Sequence, residues 1–199
     1  MSILLTPPRG LRVDKPHLVD FGGPLRPPLG GPVQTLHRLG TRFALDVTLS
    51  PLRTEPYGRQ FAAALMQAKL VGARILFGQD RLAIGSPGSP VVNGALQSGT
   101  TLNLRGFTAA YVVHQGQFFS MVHGGRRYLH FAASDTTADG SGVMALPIFP
   151  MLRVLTADAD VCEFATPSIE GSLSGNEVAW QRLTSPFSDF GSFTITEDE

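Results

Sequence analysis

The run from Gly99 to Ile169 reads GTTLNLRGFTAAYVVHQGQFFSMVHGGRRYLHFAASDTTADGSGVMALPIFPMLRVLTADADVCEFATPSI, and it decides the fold class. Thr100 to Leu104 alternates, with Leu102 and Leu104 pointing together. Tyr111 to Val113 and Phe118 to Val122 follow, broken by Gln115-Gly116. Gly124-Gly125 supplies the positive φ of a tight hairpin, Tyr128 to Ala133 returns, and Asp135 to Gly142 turns again. Val143 to Phe149, Leu152 to Leu155 and Val161 to Phe164 complete six or seven short strands. Turns at such regular spacing favour a small antiparallel barrel or sandwich.

Upstream, Gly85-Ser86-Pro87-Gly88-Ser89-Pro90 is a breaker-rich linker that marks a boundary. Before it, Tyr57 to Val71 reads as the one helix. Phe61, Ala64, Leu65, Ala68 and Val71 form an apolar stripe, Pro56 precedes it and Gly72 stops it. Val33 to Leu39 and Arg42 to Leu49 read as strands joined at Gly40-Thr41, the second with Phe43, Leu45, Val47 and Leu49 on one face. Arg74 to Phe77 and Arg81 to Ile84 are shorter strand patterns. Residues 1–32 hold Pro7, Pro8, Pro16, Pro24, Pro27, Pro28 and Pro32, too many breakers for a regular element, and read as an extended arm or loops. Downstream, Glu177 to Leu183 and Ser192 to Thr196 are two more strands, the latter with Phe193 and Ile195 on one face, and Glu197-Asp198-Glu199 reads as a solvated tail. The expected plan is therefore mainly β. A β-sandwich with one packed helix (residues 33–90 and 171–199, helix 57–71) follows the arm at 1–32 and is interrupted by a barrel at 91–170.

The 199 residues carry 16 basic and 16 acidic side chains, and only 16% are charged, against roughly 25% in an ordinary soluble domain. Net charge keeps free monomers apart, so a neutral, charge-poor surface suits a chain buried in an assembly. The same balance gives no electrostatic footprint for specific nucleic-acid binding; Arg126-Arg127 is the one adjacent basic pair. No stretch approaches the roughly 20 apolar residues of a membrane-spanning helix, and Ile3-Leu4-Leu5 is too short for a signal-peptide core. Folding in a cytosol is expected. Cys162 is the sole cysteine, which removes intramolecular disulfides and multi-cysteine metal sites and leaves a small apolar strand residue.

Residues with chemical potential do not form an active site. Asp135, Asp139 and Gly140-Ser141-Gly142 resemble a calcium loop only superficially. They lack alternating oxygen donors and a closing glutamate, and read as a polar hairpin turn. His17, His37, His114, His123 and His130 show no metal-ligand spacing, although His123 and His130 flank one hairpin. Asp158 and Asp160 fall in a turn. Ser98-Gly99 and Ser174-Gly175 lack a local base, and phosphate-loop, dinucleotide and nucleophile-elbow motifs are missing. No catalytic residue, cofactor or metal is expected.

The segment Val92-Asn93-Gly94-Ala95-Leu96-Gln97-Ser98-Gly99-Thr100-Thr101-Leu102 resembles a recurring opening in tail proteins of long-tailed bacteriophages. Gly116-Gln117-Phe118-Phe119-Ser120, Tyr128-Leu129-His130 and Thr137-Ala138-Asp139-Gly140-Ser141-Gly142 follow it. Leu146-Pro147-Ile148-Phe149-Pro150-Met151-Leu152-Arg153 and Phe164-Ala165-Thr166-Pro167 close the pattern. The likeness covers residues 91–170, and the flanks are similar to the tail-tube-like fold of distal tail proteins. It implies a hexameric ring of copies of this chain, joining the tail tube protein to the baseplate hub protein at the virion tail tip after assembly in the host cytoplasm. It brings no catalytic residues. The alternatives are another tube or hub subunit, or a carbohydrate- or receptor-binding barrel using Tyr111, Phe118, Phe119, Tyr128, Phe131 and Trp180.

Overall fold

The computed structural model describes residues 2–7, 13–36, 38–183 and 186–198. Pro8, His37 and Glu199 lie outside the described residues. Strand makes up 47% of the chain and helix 10%, so the expected mainly-β class with one helix and a closed antiparallel barrel holds.

Two structures share the chain. The first is a six-stranded sheet in the order Ile3–Leu4, Ala73–Leu76, Ser168–Leu173, Ser192–Glu197, Arg42–Thr48, Val13–Val19. Only the Ile3–Leu4 pairing is parallel. The second is a closed barrel of Phe118–His123, Arg126–Ala132, Met144–Leu152, Gly99–Phe107, Gly88–Val92 and Val161–Glu163, every neighbour antiparallel. The chain leaves the sheet after Leu76, builds the barrel, and returns as Ser168–Leu173, where Ser168 pairs with Leu76 itself. Departure and return are thus adjacent positions of neighbouring strands.

Alternation drives both structures. In the barrel, Leu102, Leu104 and Phe107 point inward with Met144, Leu146 and Ile148 of the paired strand, and all are buried. Gly124 and Gly125 close their hairpin at φ 57° and 79°, a conformation other residues adopt only with strain. Phe43, Leu45, Val47 and Leu49 form the expected inward face, and Ile195 and Phe193 join the same core. The helix, Arg59–Val71, lays Phe61, Ala62, Leu65 and Ala68 against it. Each fully buried Leu or Phe contributes about 1.5–3 kcal/mol of transfer free energy, so these faces explain why the elements stay together.

Several local expectations are corrected. The helix begins at Arg59 rather than Tyr57, because Thr54–Gly58 forms a kinked turn with Glu55 extended at φ −118°, ψ 129°. Its last residue, Val71, is exposed. Arg81 to Ile84 is not a strand: Asp80 and Arg81 both have positive φ, and Leu82 N–H closes a turn on the Gln79 carbonyl at 2.8 Å. Leu152 is the end of a strand rather than the start of one, and only Gln181–Arg182 of the Glu177 to Leu183 pattern pairs, with Phe187–Asp189.

The proline-rich arm is also more regular than its composition suggests. Val13–Val19 is a seven-residue strand paired in register with Arg42–Thr48. It tolerates Pro16 because it lies at the sheet edge, where one row of backbone groups needs no partner. The hairpin expected at Gly40-Thr41 is therefore not formed. Gln34–Leu36 pairs instead with Gly23–Leu25, making a separate two-stranded excursion.

Candidate functional site

The joint between sheet and barrel is the most constrained polar region. Glu197 is 2% exposed, so it is not part of the solvated tail its composition suggests, while Asp198 beside it is exposed. One carboxylate oxygen accepts the Phe43 N–H at 2.8 Å in the sheet, and the other accepts the Leu129 N–H at 2.7 Å in the barrel. The Arg153 guanidinium approaches that second oxygen at 2.9 Å and stacks over the Tyr128 ring, 5.1 Å from its centroid. Burial pushes the Glu197 carboxyl above the usual carboxylate range, against the pull of Arg153 and the two backbone N–H groups.

Three more ties cross the joint. The Ser120 hydroxyl donates to the Ser168 carbonyl at 2.8 Å and accepts the Ser168 N–H at 2.6 Å. The Gln79 amide copies a strand, donating to the Phe118 carbonyl and accepting the Phe118 N–H. Arg127 is bidentate to Glu163 and also reaches Glu170. Around them, Phe118 packs its ring against Phe43, Phe77 and Phe131. The arrangement does mechanical work: it fixes the barrel to the sheet.

The histidines are dispersed. His123 bonds Asp160 at 2.7 Å, while His17 and His114 lie 3.8 Å from Asp46 and Asp135. His130 is wholly buried, with Nδ1 2.9 Å from the Pro150 carbonyl. Burial and nearby Arg153 lower its pKa to about 3. His123 and His130 therefore do not converge. Asp158 pairs with Arg105 and accepts the Gly94 N–H, which holds its carboxyl down at about 2, so it and Asp160 serve separate contacts. Asp139 accepts the Ser141 and Val143 N–H groups, the bonding of a turn. Among the described residues no group of three or more His, Cys, Asp or Glu could hold a metal. Cys162 is buried in the barrel core.

The barrel aromatics go to packing. Phe119 stacks on Phe164 at 4.5 Å, Tyr128 is buried, and the Tyr111 hydroxyl donates to the Ile84 carbonyl. The apolar surface lies elsewhere. Val13, Leu18, Phe21, Leu25, Val33, Leu36 and Leu39 are exposed along the edge strand and its hairpin, and Leu29 at the hairpin end is 99% exposed. No described strand covers the outer edge of Val13–Val19. The apolar residues set between the upstream prolines, Val13, Leu18, Phe21 and Leu25 among them, are the sequence signal of this surface.

No protein-family model matches the chain, and no curated protein matches it.

Proposed function

We propose that this chain is a structural subunit that assembles with copies of itself, as a distal tail protein forming the ring between a phage tail tube and its baseplate hub. The observation that supports the reading is the exposed apolar hairpin joined to a seven-residue strand edge that no strand among the described residues covers. A three-pair hairpin is marginal alone in water, and an open, apolar edge strand is an aggregation hazard unless a partner covers it. A contact between this edge and a different surface of the next copy is head-to-tail, and such contacts close into rings when the rotation permits. The chain's formal net charge of zero at pH 7 removes the repulsion that would oppose it. Among the described residues no helix is long and apolar enough to cross a membrane.

Negative-stain electron microscopy of the concentrated protein, alone and with purified tail tubes, tests the reading. Closed rings with a central channel, or rings seated on tube ends, support it. Single globules under both conditions overturn it.

A further inference from the structure

Trp180 packs against the margin of the sheet core. It is half-buried, and its ring lies nearly parallel to Phe190, with 19° between planes and centroids 6.4 Å apart. Phe190 is itself buried and held edge-on by Phe61 at 5.0 Å. The core thus presents Trp180 as a rigid platform. Beside it opens a cleft of about 230 Å³ lined by Trp180, Phe190, Gln181, Asp189, Gly191 and Ser192. Gln181 and Asp189 are directly opposed across their two strands, so their side chains project to the same face. Asp189 accepts the Gly191 N–H with one oxygen at 2.9 Å; its second oxygen has no partner among the described residues.

We propose that this cleft binds one pyranose ring of a carbohydrate. A pyranose carries a C–H face that packs on an aromatic ring and a rim of hydroxyls that both donate and accept. The cleft offers the complementary set: an indole face, a carboxylate acceptor, a primary amide that donates and accepts, and a serine hydroxyl. The carboxylate disfavours phosphorylated or carboxylated ligands, which selects neutral sugars. This assignment stands apart from self-assembly, and it lies outside the barrel. The wider cleft beside Gly124-Gly125 is less suited, since its Arg127 is already bonded to Glu163 and Glu170.

Trp180 is the only tryptophan in the chain, so its fluorescence reports this cleft alone. The intact protein is titrated with glucose, galactose, N-acetylglucosamine and rhamnose, with their linear trimers, and with adenosine as a flat aromatic control whose only sugar is a furanose. The expected result is a saturable emission shift with at least one sugar, protection of Trp180 from acrylamide quenching, and no response to adenosine. Equal affinity for monomer and trimer identifies a free sugar as ligand; tighter trimer binding identifies a glycan chain. Asp189→Asn and Gln181→Ala each weaken binding about tenfold, the cost of one or two lost hydrogen bonds, with the far-ultraviolet circular dichroism unchanged. No saturable response to any sugar, a response to adenosine alone, or full affinity in both variants overturns the proposal.

Discussion

Glu197 and Arg153 form an ion pair at 2.9 Å with side chains only 1% and 4% exposed, and the glutamate simultaneously receives one backbone N–H from the sheet and one from the barrel. A single carboxylate therefore carries bonds from both halves of the fold.

Removing it should be costly. Glu197→Ala leaves two buried N–H groups and an unpaired guanidinium, a loss of about 3–5 kcal/mol, read as a lower midpoint in urea unfolding. Adding Arg153→Met removes the orphaned charge and should recover part of that loss. A double variant no more stable than the single one would show that Arg153 does not depend on Glu197.

His130 gives the fold an acid limit. Burial lowers its pKa from 6.5 to about 3, so the unfolded chain takes up this proton first as pH falls. The stability it contributes is complete above pH 6.5 and is lost as pH drops from about 6.5 towards 3, by roughly 1.4 kcal/mol per unit. Unfolding free energies measured across this range should slope downward on acidification, and His130→Gln should flatten the slope.

The exposed hairpin should govern association and not folding. Leu25→Glu, Leu29→Glu and Leu36→Glu, combined, place charge on a surface that a partner copy would have to desolvate. Sedimentation velocity should show the variant as a monomer where the wild-type protein forms larger species. Its unfolding midpoint should hold, since exposed substitutions usually change stability by about 0.5 kcal/mol or less.

Cys162 offers a direct probe of the barrel. Burial, with Asp160 and Glu163 nearby, pushes its thiol well above the usual range, and the reactive species is the thiolate. A thiol reagent should label the native protein slowly and the urea-unfolded protein at once. Fast native labelling would mean that the barrel opens.

Local patterning made much of this fold legible. Leu102 and Leu104 announce the barrel interior by alternation, Phe61 and Leu65 announce the buried helix face, and Phe43, Leu45 and Val47 announce the sheet. Long-range partners were not legible. Glu197 sits in an acidic terminus whose pattern is that of a solvated tail, and nothing local marks Arg153, Phe43 and Leu129 as its partners. The strand at Val13–Val19 was hidden by Pro16, which matters only if the strand is interior. The turn at Gly40-Thr41 was misjudged because Arg42–Thr48 takes its partners from Val13–Val19 and from the last strand. The cleft at Trp180 needed the register of Gln181 against Asp189, which no spacing in the sequence encodes.

The position of Ser192–Glu197 in the middle of the sheet has a consequence for biosynthesis. Phe43 and Glu197 are 154 residues apart, so at roughly 5–20 residues per second a ribosome spends about 8–30 s between making them. Through that interval Arg42–Thr48 has one edge without its native neighbour while the barrel, whose strands are all synthesised earlier, is free to close. The nascent chain thus passes through a stage with a finished barrel and an unfinished sheet, in which that edge of Arg42–Thr48 stays open to wrong partners until Ser192–Glu197 has been made.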